Sequence, residues 1–313
     1  MKKRIVLAAV LLIALMGIAW AAGGRQQDSG KIKVIFIAMD SIDEHWLKVK
    51  AGTEDKAKEL GNVDLSFNAP PGKVDANVQL AMVEDAITKK MNAILLAPLD
   101  KDALNPGVDK AMAAGIKVVI IDSAVSTNYD AFFATNNGDA GRTAADTLAK
   151  LIGEKGKVAI INAQPGAATA MLRENDFKDQ MAKKYPGITV VGTQYSDGDR
   201  TKAYNIATDF MTANPDLAGI YATNEGSTVG AGNAIDQAGK AGVVHFVGFD
   251  WSADTKALVG KGVLEATMVQ NPYQMGYLGV QAAVDLVNGK GVASKNVDTG
   301  VTVVTKANMD SVK

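Results

Sequence analysis

Short apolar runs alternate with helix-length amphipathic stretches from residue 34 to residue 305 of this 313-residue chain, almost without interruption. Runs of this kind, apolar throughout rather than at every second position, read as strands buried on both faces. Strands that alternate with helices are satisfied by a parallel sheet with right-handed crossovers and helices on both sides. The expected strands are 34–39, 63–67, 93–97, 117–122 and 131–135. Between them lie a helix in which Trp46, Val49, Ala57 and Leu60 share a face, ended by Gly61, and helices over 75–90 and 102–114. The rhythm then repeats, with helices at 138–152, 169–184, 201–213, 227–238 and 253–260 and strands at 157–162, 188–195, 218–223, 243–249 and 264–270. Asn271 and Pro272 have the chemistry of an N-cap and a first helical residue, and open a helix that Gly289 and Gly291 stop. A last strand follows at 301–305.

Two consecutive sets predict an α/β protein of two similar doubly wound, Rossmann-like lobes. The expected lobes are residues 31–135 with 271–298, and 136–270 with 299–313. No Gly/Ser-rich or Pro-rich linker separates the sets, so the chain near 134–137 is expected to cross directly between lobes, as a hinge rather than a tether. Seven apolar runs end at, or just before, a hydrogen-bonding side chain: Asp40, Asp122, Asn137, Asn162, Asn224, Asp250 and Gln270. In a parallel sheet these gather at the carboxyl ends, where open α/β sheets bind ligands. Carboxylates and amides form a poor catalytic set and a good one for gripping hydroxyls.

Charge excludes one class of partner. Lys plus Arg number 33 against 34 Asp plus Glu, a net charge of −1, without the basic face that nucleic acid requires. A hydrophobic content of 47% excludes a disordered chain. Lys2, Lys3 and Arg4, the apolar stretch 6–19 and the small-x-small triplet Ala19-Trp20-Ala21 have the three-part form of a cleavable signal peptide over residues 1–21. The apolar stretch is short for a membrane span. Its removal takes the formal charge from −1 to −4, because three cations leave. With no Cys, disulfides, thiolate metal sites and a lipid-modified anchor are all excluded, and the expected location is free in a periplasm.

Enzymatic signatures are missing. The first strand-to-helix turn, Met39 to Trp46, carries no Gly-x-Gly-x-x-Gly; Gly226, Gly230 and Gly232 are spaced for helix packing; no P-loop and no Gly-x-Ser-x-Gly elbow occurs. The two histidines, His45 and His245, are far apart and lack companions at metal-ligand spacing, so neither a metal nor a cofactor is expected. His245 reads as core or lobe surface, whereas His45 can reach a cleft. Trp46 is either core or a surface for a sugar ring, with its polar neighbours favouring the second. Asp122 and Asp250 end the most apolar strands and are either ligand groups or helix N-caps.

Ala134-Thr135-Asn136-Asn137, the segment Met171 to Phe177, Tyr221-Ala222-Thr223-Asn224-Glu225, Val247-Gly248-Phe249-Asp250, and Gln270 before Asn271-Pro272 together resemble the ribose- and galactose-binding family. These are the type I periplasmic sugar-binding proteins of ABC importers, and the resemblance spans the chain beyond its first residues. It implies the periplasmic binding protein-like I fold with a multi-strand hinge, a monosaccharide or polyol held between the lobes, no enzymatic activity, a monomer, and an ABC permease with its ATPase, or a chemoreceptor, as partner. It implies ligand contacts from Asp43, Trp46, Asp122, Asn137, Arg173, Asn224, Asp250 and Gln270, to which His45 is added from its place in the first strand-to-helix turn. Ser123, Ala97 and Gly198 depart from the ribose pattern, which expects an arginine, an amide and an aromatic there, and point to a different aldose or a polyol, with Tyr195 or Trp251 as the replacement stacking surface. The rival readings are an exported hydrolase using His45 and Asp43 as acid and base, and a sugar-responsive repressor. The absence of an N-terminal helix-turn-helix counts against the repressor.

Overall fold

Strands without a polar face need cover on both sides, and the computed structural model, which describes residues 30–71 and 75–312, supplies it twice. The first five strands are β1 (Ile32–Ile37), β2 (Val63–Asn68), β3 (Ala93–Leu96), β4 (Lys117–Ile121) and β5 (Ala131–Ala134). The next five are β6 (Gly156–Asn162), β7 (Ile188–Tyr195), β8 (Leu217–Ala222), β9 (His245–Phe249) and β10 (Ala266–Gln270), and two short ones follow, β11 (Asn296–Asp298) and β12 (Val301–Val304). They form two sheets of one topology, ordered β2-β1-β3-β4-β5-β11 and β7-β6-β8-β9-β10-β12. Every pairing is parallel except β12 against β10.

Nine helices are described: α1 (Glu44–Leu60), α2 (Ala76–Thr88), α3 (Asn105–Ala113), α4 (Asn137–Leu151), α5 (Ala168–Lys184), α6 (Arg200–Ala213), α7 (Glu225–Gln237), α8 (Ala253–Lys261) and α9 (Pro272–Val287). Alternate residues of each strand go to opposite faces. In the first sheet Val34, Phe36, Val119 and Ile121 pack with Val49 of α1 and Val280 of α9. Ile35, Ile37, Val118 and Ile120 pack with Val83 of α2 and Val108 of α3. In the second sheet Ile161, Ile220 and Phe246 meet α6, α7 and α8, while Ile160, Tyr221 and Phe249 meet α4 and α5. Two apolar layers per sheet explain why the strands show no alternation of polarity.

Three segments run between the sheets, β5 to α4, β10 to α9, and β11 to β12, and two of them are hydrogen-bonded to each other. Thr299 N–H donates to the Ala134 carbonyl at 2.9 Å, Asn136 N–H to Asp298 Oδ1 at 3.1 Å, and Thr135 Oγ1 to the Gly300 carbonyl at 3.3 Å. The expected strands all form. β9 starts at His245, later than the apolar run, because Val243 lies in a turn, donating to the Lys240 carbonyl and 62% exposed. β11 was not legible: Asn296, Val297 and Asp298 carry no strand signal, and only pairing with β5 makes them one. Residues 1–21, the expected signal peptide, lie outside the described residues. Among the described residues no helix is long and apolar enough to cross a membrane.

Candidate functional site

The carboxyl ends of the two sheets face each other across a cavity of about 70 Å³, measured at the centre of a water-sized sphere. That is several times the ~10–15 Å³ one water needs. The lobes also touch beside it. Lys48 Nζ of α1 donates to the Trp251 carbonyl after β9, Ala253 N–H donates to Glu44 Oε1 at 3.3 Å, and Lys101 N–H donates to the Gly166 carbonyl at 3.1 Å.

From the first lobe come the turn before α1 and the residue after β4. Asp40 Oδ1 accepts from the backbone N–H groups of Ile42 and Asp43 at 2.8 and 2.9 Å, folding the turn so that Asp43 and His45 face the cavity. Asp43 stands at the helix N-cap position without capping it, which leaves its carboxyl to the cavity. Burial, reinforced by repulsion from Asp40, Glu225 and Asp250 and opposed by His45, pushes that carboxyl up to about 8. That shift favours the protonated carboxyl, which can donate a hydrogen bond. Asp122 has a left-handed backbone (φ 64°), fixed by its N–H donating to the Phe133 carbonyl at 2.8 Å, and caps no helix. Trp46 is only 5% exposed and packs in the core, and it also forms part of the cavity wall, with the His45 ring edge-on at 4.6 Å.

The second lobe contributes a connected network. Asp250 (φ 72°) accepts from Glu225 N–H at 3.0 Å and from Gln270 Nε2 at 2.7 Å. It thereby holds the first residue of α7, while α8 has its own capping box in Ser252 and Thr255. Burial pushes the Asp250 carboxyl up, but His45, Arg173 and Gln270 outweigh it and hold the group below the usual carboxylate range. Asn224 caps α7 by accepting from Ser227 N–H at 3.2 Å. Arg173, one turn into α5, lies over the Phe249 ring at 3.7 Å and donates Nε to Asn137 Oδ1 (2.7 Å) and Nη1 to the Thr223 carbonyl (2.8 Å).

Asp43, His45, Trp46, Asp122, Arg173, Asn224, Asp250 and Gln270 all line the cavity. Asn137 does not. It stands behind Arg173, one end accepting from the guanidinium and the other donating to the Thr135 carbonyl, because helix α4 starts at this residue and turns its side chain inward. Asn162 is likewise a brace, bonded to Ala170, Glu174 and Thr223. Neither Tyr195 nor Trp251 lines this cavity: Tyr195 points its hydroxyl at Glu174 and Trp251 belongs to the core of the second lobe, facing the hinge side. Missed in the sequence were Met39 and Leu99, which add apolar wall, and Asp197. Asp197 has a left-handed turn backbone (φ 57°) that the neighbouring Gly198 hinted at.

Arg173 Nη2 and Gln270 Oε1 are buried in this wall without a hydrogen-bond partner, and His45 Nε2 and Asp122 Oδ1 face each other at 3.4 Å. Buried polar atoms are ordinarily paired. Each side of this small space thus brings one donor and one acceptor, which suits a ligand rich in hydroxyls, each able to donate and accept. Among the described residues no cluster could hold a metal ion.

A family model described as a periplasmic binding protein domain matches residues 34–291. The D-allose-binding periplasmic protein of Escherichia coli (strain K12) is 34% identical over 249 residues, 77% of this chain and 79% of that protein. A ribose import binding protein of Bacillus subtilis (strain 168) is 33% identical over 248 residues, 79% of each. Among solved structures, an ABC transporter solute binding protein from Agrobacterium vitis with bound D-fucose superposes with a TM-score of 0.87 at 39% identity, covering 89% of this chain and 97% of that one. One from Agrobacterium radiobacter in complex with D-arabinose gives 0.86 at 36% identity, over 89% of this chain and 96% of that one.

Proposed function

The chain belongs to the periplasmic binding protein domain family, and from that premise we propose that it is the substrate-binding component of an ABC importer, holding one monosaccharide or polyol between its lobes. The lobes are residues 31–135 with 271–298 and 136–270 with 299–313, an assignment supported by the strands each sheet contains and by α9 packing on the first. The observation that carries the reading is that Arg173 Nη2 and Gln270 Oε1, buried and unpartnered, face the His45–Asp122 pair of the other lobe at one cavity. A ligand that spans this cavity contacts both lobes only when they are together, so it binds the closed form better and shifts the population to it. Arg173 Nη2 donates to one ligand oxygen, Gln270 Oε1 accepts from a second hydroxyl, and the Asp122 carboxylate accepts from a third. The Trp46 side chain offers an apolar surface for the C–H face of a pyranose. The partner that reads the closed surface is a permease with its ATPase, and the location is the periplasm, as the relatives' names support.

The hydrolase alternative, with His45 and Asp43 as acid and base, needs an ionised Asp43, but burial pushes that carboxyl up to about 8. Incubation with aryl glycosides is expected to release no product.

The test is a thermal-shift screen over pentoses, hexoses and polyols. A ligand at 100 times its dissociation constant stabilises the folded state by about 2.7 kcal/mol. A library without any stabilising member would defeat this reading.

A further inference from the structure

His45 belongs to α1 of the first lobe, and its two ring nitrogens face carboxylates from different lobes. Nε2 is 3.4 Å from Asp122 Oδ1, at the end of β4, and Nδ1 is 3.6 Å from Asp250 Oδ1, at the end of β9. The residue is only 7% exposed. A neutral imidazole has one N–H and one lone pair, so one of these carboxylates would face a lone pair in a buried site. Only the imidazolium presents a proton to both.

We propose that His45 is a positioning residue that closes the cleft as a cation: ligand binding brings Asp250 to a histidine already beside Asp122, and the closed complex takes up a proton to complete the bridge. This rests on the closing-cleft reading above and adds a proton to its stoichiometry.

The other charged groups around the ring do not supply that bridge. Asp43, two residues earlier, adds a further acidic group, and Arg173, over the Phe249 ring, acts on Asp250 as a nearby cation. Trp46 meets the ring edge-on and is uncharged. Burial works against the cation, but the contacts with Asp122 and Asp250 exceed it and raise the histidine from 6.5 to about 10. The sign follows: a group whose pKa is higher in the closed form favours closure while protonated, and that advantage is lost as pH rises through the closed-form value. With one carboxylate withdrawn in the open form, closure takes up a proton between the open-form pKa and about 10. Ligand affinity then falls by up to about tenfold per pH unit in that interval. Asp43, raised to about 8, adds a second proton below that pH, so the two must be separated.

The chain's composition makes the separation practical, because it contains only two histidines. Imidazole nitrogen NMR of the whole protein therefore shows two ring systems, and His245→Asn assigns them. The measurement is made at about pH 8 with D-fucose, D-arabinose, D-allose and D-ribose, after binding of each is scored by calorimetry. In a sugar complex both His45 nitrogens are expected to carry protons, with a titration midpoint above that of the sugar-free protein. In Asp43→Asn, sugar affinity is expected to keep falling above about pH 8, and in His45→Asn this alkaline loss disappears. A complex in which His45 is neutral at about pH 8, or titrates as in the sugar-free protein, overturns the proposal and leaves the sugar-binding reading intact. No binding by any of the four sugars counts against both.

Discussion

At the residue scale, the side chains at this cavity divide into those that would meet a ligand and those that aim them. Arg173 is the clearest case, since two of its donors are spent on Asn137 and Thr223 and only Nη2 is left over. Arg173→Lys keeps the charge but loses the planar fork. It is expected to weaken sugar binding by about 1.5–3 kcal/mol, the worth of a hydrogen bond to a charged group, read by calorimetry. Asn137→Ala is expected to cost about 1 kcal/mol of affinity without touching the ligand, because it frees the guanidinium Nε. The sequence marked Asn137 correctly as polar and placed at a strand-to-helix junction. It could not show on which side of Arg173 it would stand, which depends on α4 and α5 packing together. Asp250 shows the same limit. Alanine there would strand the N–H of Glu225 and put a residue less tolerant of it at φ 72°, so Asp250→Asn is the cleaner variant. It is expected to bind sugar more weakly while unfolding within about 1 kcal/mol of the parent protein in urea.

At the element scale, two close approaches hold the site's supports. Helices α1 and α9 cross so tightly that a Cβ on Gly52 would lie 2.1 Å from the Tyr273 carbonyl oxygen, and one on Gly276 2.0 Å from that of Val49. Neither backbone can retreat without moving α1, which carries His45 and Trp46. Gly276→Ala is expected to lower unfolding stability by about 1–3 kcal/mol in urea, as overpacking does, and to weaken sugar binding with it. Helix α7 depends on its cap, and Asn224→Ala is expected to cost about 1 kcal/mol of stability. The helices and the central strands were legible because their periodicity is local. The short strand β11 was not, because its only cause is a neighbour more than 150 residues away in the chain, Phe132 paired with Asn296.

At the scale of the whole molecule, one architecture is built twice with its carboxyl edges facing, and the chain passes between the halves three times. Bonds among these passages, such as Thr299 to Ala134, hold the hinge side, and a single backbone hydrogen bond, Lys101 N–H to the Gly166 carbonyl, joins the lobes at another rim. Because the sequence contains no cysteine, a single pair introduced at Asp102 and Pro165, one on each side of that rim, can be spin-labelled alone. The label separation is expected to shorten when a sugar from the calorimetric set is added. An unchanged distance distribution would argue against closure.

The sequence by itself determined that strands alternate with helices, that they fall into two sets, and that carboxylates and amides sit where those strands end, because each property depends on a few neighbouring residues. It also carried enough of the pattern at residues 134–137, 221–225 and 247–250 to resemble the family to which the chain belongs. Only the tertiary structure decided which of those polar residues share one cavity, that Asn137 and Asn162 brace it from behind, and that His45 lies between carboxylates of opposite lobes. Those outcomes depend on distances between segments up to two hundred positions apart, set by how the two sheets face each other rather than by any local spacing.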